Sequence, residues 1–275
     1  MTTTAEILAD IKVVLSAPRL STYETATGTS TADDPSAIAL YAWNAAISAA
    51  LLAPLHVCEV VVRNAVSEAI ETLYGPRWPW STGFIRSLPT PASRSLYDPR
   101  TDVTKQARRF TTTGKVVPEL KFVFWQQMFD SRHEARIWVP NLHHVFPNVD
   151  TTKSVSVVRQ EIQDSLEKIR TLRNRIAHHE PIFARNLADD FQTIFNLVHY
   201  RSTVAASWML SNQIASAVLR SCRAFVGGRT WTPTQDEIAA QAYRLWESAA
   251  RPEGQPDVYW YRAVEFLRGD RWWDF

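Results

Sequence analysis

The stretch Arg170-Thr-Leu-Arg-Asn-Arg-Ile-Ala-His-His-Glu-Pro181 gathers three arginines, an asparagine and two histidines just before a proline. Histidine exchanges a proton near neutral pH, so an imidazole poised between two protonation states suits general acid–base chemistry. If the stretch is helical, Asn174 and His178 are four residues apart and share a face. Arg173 adjoins Asn174, and its long side chain can swing toward the same point. It also follows Ile169 by four, so it is expected to border the buried stripe of the helix. His178 would fall in the last helical turn, where the partial negative charge of the helix end favours imidazolium. Neighbouring arginines, Arg175 among them, push the other way. His179 competes for the role, being four residues from Arg175, but His178 shares the face of Asn174. A plainer reading stays open on spacing alone: arginines near a helix C-terminus are ordinary dipole partners, and a His-His pair before a proline is often just surface.

The elements that must position these residues follow from periodicity. Val155, Val158, Ile162, Leu166, Ile169 and Ile176 recur at three, four or seven residues, which predicts an amphipathic helix over 152–180. Pro181 should stop it near Glu180. Met1–Ser16 reads as an amphipathic helix through Ile7, Ile11, Val14 and Leu15, ended by Pro18, with no signal-peptide pattern. Residues 21–36 read as a loop, with Asp33, Asp34 and Ser36 as helix-start residues. Ala45–Val62 is apolar enough to suggest a membrane segment, but its Ser48, Pro54, His56 and Glu59 favour two successive buried helices meeting at Pro54. Glu59 and Arg63 are spaced for an ion pair. Either that pair fixes helix register, or Glu59, Arg63 or Asn64 faces the motif helix and orients Arg173.

Further along, Gly75-Pro-Arg-Trp-Pro-Trp80 breaks the helix, and 81–118 reads as a basic, flexible stretch. Pro118 is expected to open a helix with a core face of Leu120, Val123, Phe124, Met128 and Phe129, and Trp125 is expected to pack. Leu187, Phe191, Ile194, Phe195 and Val198 predict another helix, and about Ser202–Phe225 one more. No metal is expected: His133-Glu134 lacks a histidine at residue 137, and His143-His144 has no carboxylate or cysteine at ligand spacing.

Composition agrees with an all-α protein. Only 8 glycines and few alternating stretches argue against sheets, while 45% hydrophobic residues and 11 tryptophans can bury a substantial core in a chain of 275 residues. A net charge of +2 is too small to argue for nucleic acid by itself. Cys58 and Cys222 form no metal-like pair and fit free thiols in a reducing cytoplasm.

Arg173-Asn174-Arg175-Ile176-Ala177-His178 resembles the R-N-x-x-x-H form of the R-x(4–6)-H motif of the HEPN superfamily. More fully, Leu172–Glu180 is similar to the signature of its Abi-like branch, the phage abortive-infection proteins. Ser16–Tyr23, Leu40–Asn44, Leu55–Ala65 and Gly114–Trp125 resemble further blocks of that family in its usual order. The resemblance implies a HEPN-like helical bundle with an N-terminal helical extension, spanning 1–226. It implies a homodimer that cuts RNA without a metal or other cofactor, with Arg173, Asn174 and His178 as the catalytic set. His179, Arg175, Glu59, Arg63 and Asn64 are accessory candidates. Arg108, Arg109 and Lys115 are the best candidates to grip an RNA backbone. It also leaves room for a non-catalytic RNA- or protein-binding role, and for an inhibitory RNA or antitoxin partner.

Gly227-Gly228, Thr230 and Pro233 mark a linker. Beyond it, 232–270 reads as a short helical hairpin, with Ala242-Tyr-Arg-Leu-Trp246, Arg251-Pro-Glu-Gly254 and Trp260-Tyr-Arg-Ala263 resembling a small bacterial domain of unknown function. So short a hairpin buries little by itself.

Overall fold

The computed structural model describes residues 4–29, 31, 34–93, 96–221 and the single positions 235, 238, 239, 242, 243 and 263. Asp33, Cys222, Phe225, the linker and nearly all of the expected C-terminal hairpin lie outside the described residues. Every regular element is helical: α1 Thr4–Leu15, α2 Ala17–Thr27, α3 Ser36–Tyr74, α4 Thr82–Ser87, α5 Pro99–Arg109, α6 Thr113–Val116, α7 Phe122–Gln127, α8 Val139–Val145, α9 Val155–Ala177, α10 Leu187–Arg201, α11 Thr203–Ser211 and α12 Ala215–Ser221. The described residues contain no strand, so the protein is all-α.

Several boundaries differ from those the sequence suggests. Pro18 begins a helix instead of ending one, because proline is well placed in a first turn whose N–H groups are unpaired anyway. That helix, α2, replaces most of the expected loop. It ends on Gly28 at φ 67°, where the N–H of Thr29 donates to the carbonyl of Glu24 at 3.0 Å. Pro54 lies inside α3 without dividing it. One helix therefore stands where two were expected, and it is the one described helix long and apolar enough to cross a membrane. Its buried residues Leu40, Trp43, Ile47, Leu51, Leu55, Cys58, Val62, Val66 and Ala69 form a stripe at helical spacing. The buried thiol of Cys58 is pushed well above its ordinary pKa by desolvation, so it is a poor nucleophile.

Within 81–118 the described residues form three helices, α4, α5 and α6. Asp98 caps α5 by accepting from the N–H groups of Arg100 and Thr101 at 3.0 and 3.1 Å. Pro118 sits in a 3-10 turn, Val117–Glu119, and α7 starts only at Phe122. The expected helix over Ser202–Phe225 is broken at Gln213 and Ile214, between α11 and α12.

The chain forms two compact units. The first takes Met1–Leu52, Arg175–Ala188 and Ser211–Phe275, and the second takes Ala53–Asn174 and Asp189–Leu210. In the first, Tyr23 of α2 is fully buried and packs against Tyr41 and Phe183, with ring centroids 5.1 and 5.2 Å apart. Trp43 donates its indole N–H to the carbonyl of Val218 at 2.9 Å. In the second, aromatic side chains dominate. Trp78, Phe84, Phe124 and Trp125 meet edge to face or stacked, and Phe129 stacks on Trp138 at 4.2 Å. Trp125 is 1% exposed and belongs to this core.

The apolar stripe of α9 is buried at Val158, Ile162, Leu166, Ile169, Leu172 and Ile176. Arg159 is also buried in this helix. Its Nε donates to Glu134 at 2.8 Å, its Nη1 to the Phe129 carbonyl and Gln163, and its Nη2 to Gln160. A guanidinium taken out of water needs that many partners.

Candidate site at the C-terminal end of α9

α9 ends at Ala177, earlier than Pro181 alone would require. The stop is made by the backbone. His179 adopts the left-handed conformation at φ 55°, its N–H donates to the carbonyl of Ile176 at 3.0 Å, and the N–H of Glu180 donates to the carbonyl of Arg175 at 2.8 Å. This pair of bonds satisfies carbonyls that the helix end would leave unpaired. Histidine is among the few non-glycine types that enter this region at modest cost. His178 thus closes the helix instead of lying within its last turn.

Two other helices hold the turn. Arg19 of α2 donates from Nη1 to the carbonyl of His179 at 2.6 Å. Asn44 of α3 is 5% exposed, and its Oδ1 accepts from the N–H groups of Ile182 and Phe183 at 2.7 and 3.2 Å. A buried carbonyl paired with two backbone donors fixes the chain just after the motif. Tyr23 closes this cluster. Burial pushes its phenol up to about 12, helped by Tyr41 and opposed by Arg19. Neither Arg19 nor Asn44 stands out as a functional residue in the sequence. The available signal was a single asparagine between the buried positions of a helix otherwise apolar on that side.

The candidate catalytic side chains are placed quite differently from these supports. Arg173 and His178 are exposed and Asn174 is half-buried. Arg173 does not border the buried stripe; it faces water, since Leu172 and Ile176 take the inward positions. Among the described residues none of the three side chains makes a hydrogen bond or ion pair. Arg175 is occupied, pairing with Glu180 at 3.2 Å. His179 is exposed, but its backbone is committed to the turn.

The accessory residues do not come together as expected. Among the described residues, Glu59 and Arg63 are half-buried and form no ion pair, and Arg63 Nε is buried without a partner. Asn64 is exposed, and none of the three bonds to Arg173. A buried guanidinium nitrogen left unpaired is the opposite of the paired arrangement that the spacing suggested. Arg108 and Arg109 form the last turn of α5, and Lys115 lies on α6. All three are exposed, with Arg109 reaching Gln106 at 2.9 Å and Glu119 at 3.4 Å. His144 contacts Glu68 at 3.2 Å, and no group of three potential metal ligands occurs among the described residues.

Residues 233–268 match a family described as Protein of unknown function (DUF2934). No curated protein and no solved structure matches the chain.

Proposed function

We propose that the chain is a metal-independent endoribonuclease of the HEPN type, acting in phage defence or growth arrest within the cytoplasm. The observation that supports this reading most is the contrast at the end of α9. The backbone there is fixed by Arg19, Asn44 and the left-handed turn. The side chains of Arg173, Asn174 and His178 have no partner among the described residues and are open to solvent or half open. Side chains kept for packing or capping would be committed within the chain.

One subunit supplies one motif, and RNA cleavage by internal attack needs both a base and an acid. A two-fold homodimer doubles the set from one gene. One His178 imidazole takes the proton of the ribose 2′-hydroxyl as O2′ attacks phosphorus. The P–O5′ bond breaks, and the second His178, as imidazolium, protonates the departing 5′-oxygen. Arg173 holds the phosphate and offsets the charge that builds on it. Asn174 orients the phosphate or the ribose. The products are a 2′,3′-cyclic phosphate and a 5′-hydroxyl. Arg108, Arg109 and Lys115 would contact flanking backbone.

A second reading draws on one observation: among the described residues nothing orients His178 as a general base usually is oriented. On that reading the chain binds RNA or a protein partner, such as an antitoxin, and cuts little. Incubating RNA with the wild-type chain, Arg173→Ala and His178→Ala separates the two. The nuclease reading expects chelator-insensitive cutting with cyclic-phosphate ends, reduced at least a hundredfold in either variant. Equal cutting by all three proteins would sink the site assignment, and no cutting with retained RNA binding would favour the second reading.

A further inference from the structure

A groove of about 540 Å³ opens on the second unit, within the size range of small-ligand sites. Pro89, Pro91 and Tyr97 supply an apolar wall, and Tyr97 is held in place by donating its hydroxyl proton to Asp102 at 2.6 Å. Gln126, Gln127 and Asp130 bring hydrogen-bond acceptors to the same groove. Gln126 and Gln127 both line the groove, and among the described residues neither of their side-chain carbonyl oxygens, both buried, has a partner. The orientation of the Gln126 amide is set, because its Nε2 donates to Glu167 at 2.5 Å. Asp130 accepts from Gln163 on Oδ1 at 2.6 Å, leaving Oδ2 open. Burial also holds its carboxyl above the ordinary range, although Gln163, Arg132 and Arg159 pull it down. Unpaired acceptors under an apolar wall are costly unless a ligand donates to them. A modest rotation about the soft terminal torsion of Gln127 brings its oxygen to the groove surface, whereas the Glu167 bond keeps that of Gln126 behind it.

The groove's helical wall leads to the candidate site. Glu167 and Arg170 of α9 line it, and Gln163, Glu167, Arg170 and Asn174 recur at four, three and four residues along one stripe. Arg170 and Asn174 are therefore about 6 Å apart along the helix axis. Arg170 is tied to Glu167 at 2.6 Å, while Arg132 is exposed at the rim, where a phosphate could meet it.

We propose that this groove is a nucleotide subsite that selects guanine, seating one unpaired base of the RNA beside the phosphate held at Arg173. The inference rests on the ribonuclease reading for its location, not for its chemistry. Single-stranded RNA is read on the Watson–Crick edges of splayed bases set against apolar or aromatic side chains. Guanine is the base whose edge presents two adjacent donors, N1–H and the 2-amino group. Adenine, cytosine and uracil mix donors and acceptors there. Asp130 Oδ2 and the rotated Gln127 oxygen supply two acceptors for that donor pair.

The test uses the full chain and four short 2′-O-methyl oligoribonucleotides, which cannot undergo internal attack, differing only in one central base. Fluorescence anisotropy is expected to show the guanine oligomer binding about tenfold more tightly than the others. Replacing guanine by inosine, which lacks the 2-amino group, should remove most of that preference without altering the protein. Asp130→Asn and Gln127→Met, checked for folding by circular dichroism, should bring the four affinities within about twofold. Equal binding of all four oligomers, or a preference untouched by inosine, would overturn the subsite. A guanine preference without any RNA cutting keeps the subsite and sinks the nuclease reading. Cutting with ends spread evenly over the four bases does the reverse.

Discussion

At the scale of single residues, the two adjacent histidines have different jobs. His178 has a free, exposed side chain, while His179 is the residue on which the helix turns back, at φ 55°. A left-handed residue other than glycine costs on the order of 1 kcal/mol. His179→Gly should therefore raise stability by about that much, read from a urea midpoint. Under the proposed mechanism it should leave RNA cutting within about threefold of wild type, whereas His178→Ala should abolish it. Loss of cutting in His179→Gly, with the fold intact, would transfer the proton-transfer role to His179. The choice between the two was open in the sequence, because both lie at an acceptable spacing from an arginine.

At the scale of elements, the turn after α9 depends on α2 and α3. Asn44 supplies the one side-chain oxygen that satisfies both Ile182 and Phe183 backbone donors. Asn44→Ala leaves two such donors without a partner in a buried place, at a cost of about 2–3 kcal/mol. The expected outcome is a lowered denaturation midpoint together with weaker cutting, because the end of α9 loses its anchor. Unchanged stability would mean that water replaces the amide without penalty. Pro54 teaches the limit of local rules at this scale. Proline disfavours helix interiors, but α3 runs through it because apolar residues on both sides are buried along one stripe. Burial over ten turns outweighs one missing hydrogen bond.

At the scale of the whole molecule, two expectations follow. Sedimentation should show a homodimer at the concentrations where RNA is cut, and a fully monomeric chain that still cuts would end the composite-site mechanism. The second concerns pH. His133 is fully buried, with Arg136 Nη2 3.1 Å from its Nδ1, and its pKa is lowered to about 4 by burial first and then by Arg136 and Arg132. The unfolded chain takes up this proton near pH 6.5 and the folded chain does not. Stability from His133 is therefore complete above about pH 6.5 and is lost progressively as pH falls toward 4, by up to roughly 3 kcal/mol. Thermal midpoints between pH 7 and pH 5 should drop less in His133→Gln than in wild type. Parallel pH profiles would show that the imidazole is not the titrating group.

The sequence alone determined the helical class, the apolar stripe of α9, the burial of Trp125 and Cys58, and the position of the Arg173–His178 stretch. Those are local properties: periodicity and side-chain type act within a few turns, whatever the rest of the chain does. Tertiary structure decided where α9 stops, that 17–27 is helical, that Glu59 and Arg63 remain unpaired, and that Asn44 and Arg19 hold the turn from helices more than 130 residues away in sequence. It alone brings the Pro89 loop and the Gln126–Asp130 segment to the same side of α9. Spacing along one helix carries no information about which distant donor or acceptor arrives there. That is fixed only when buried backbone groups must each find a partner.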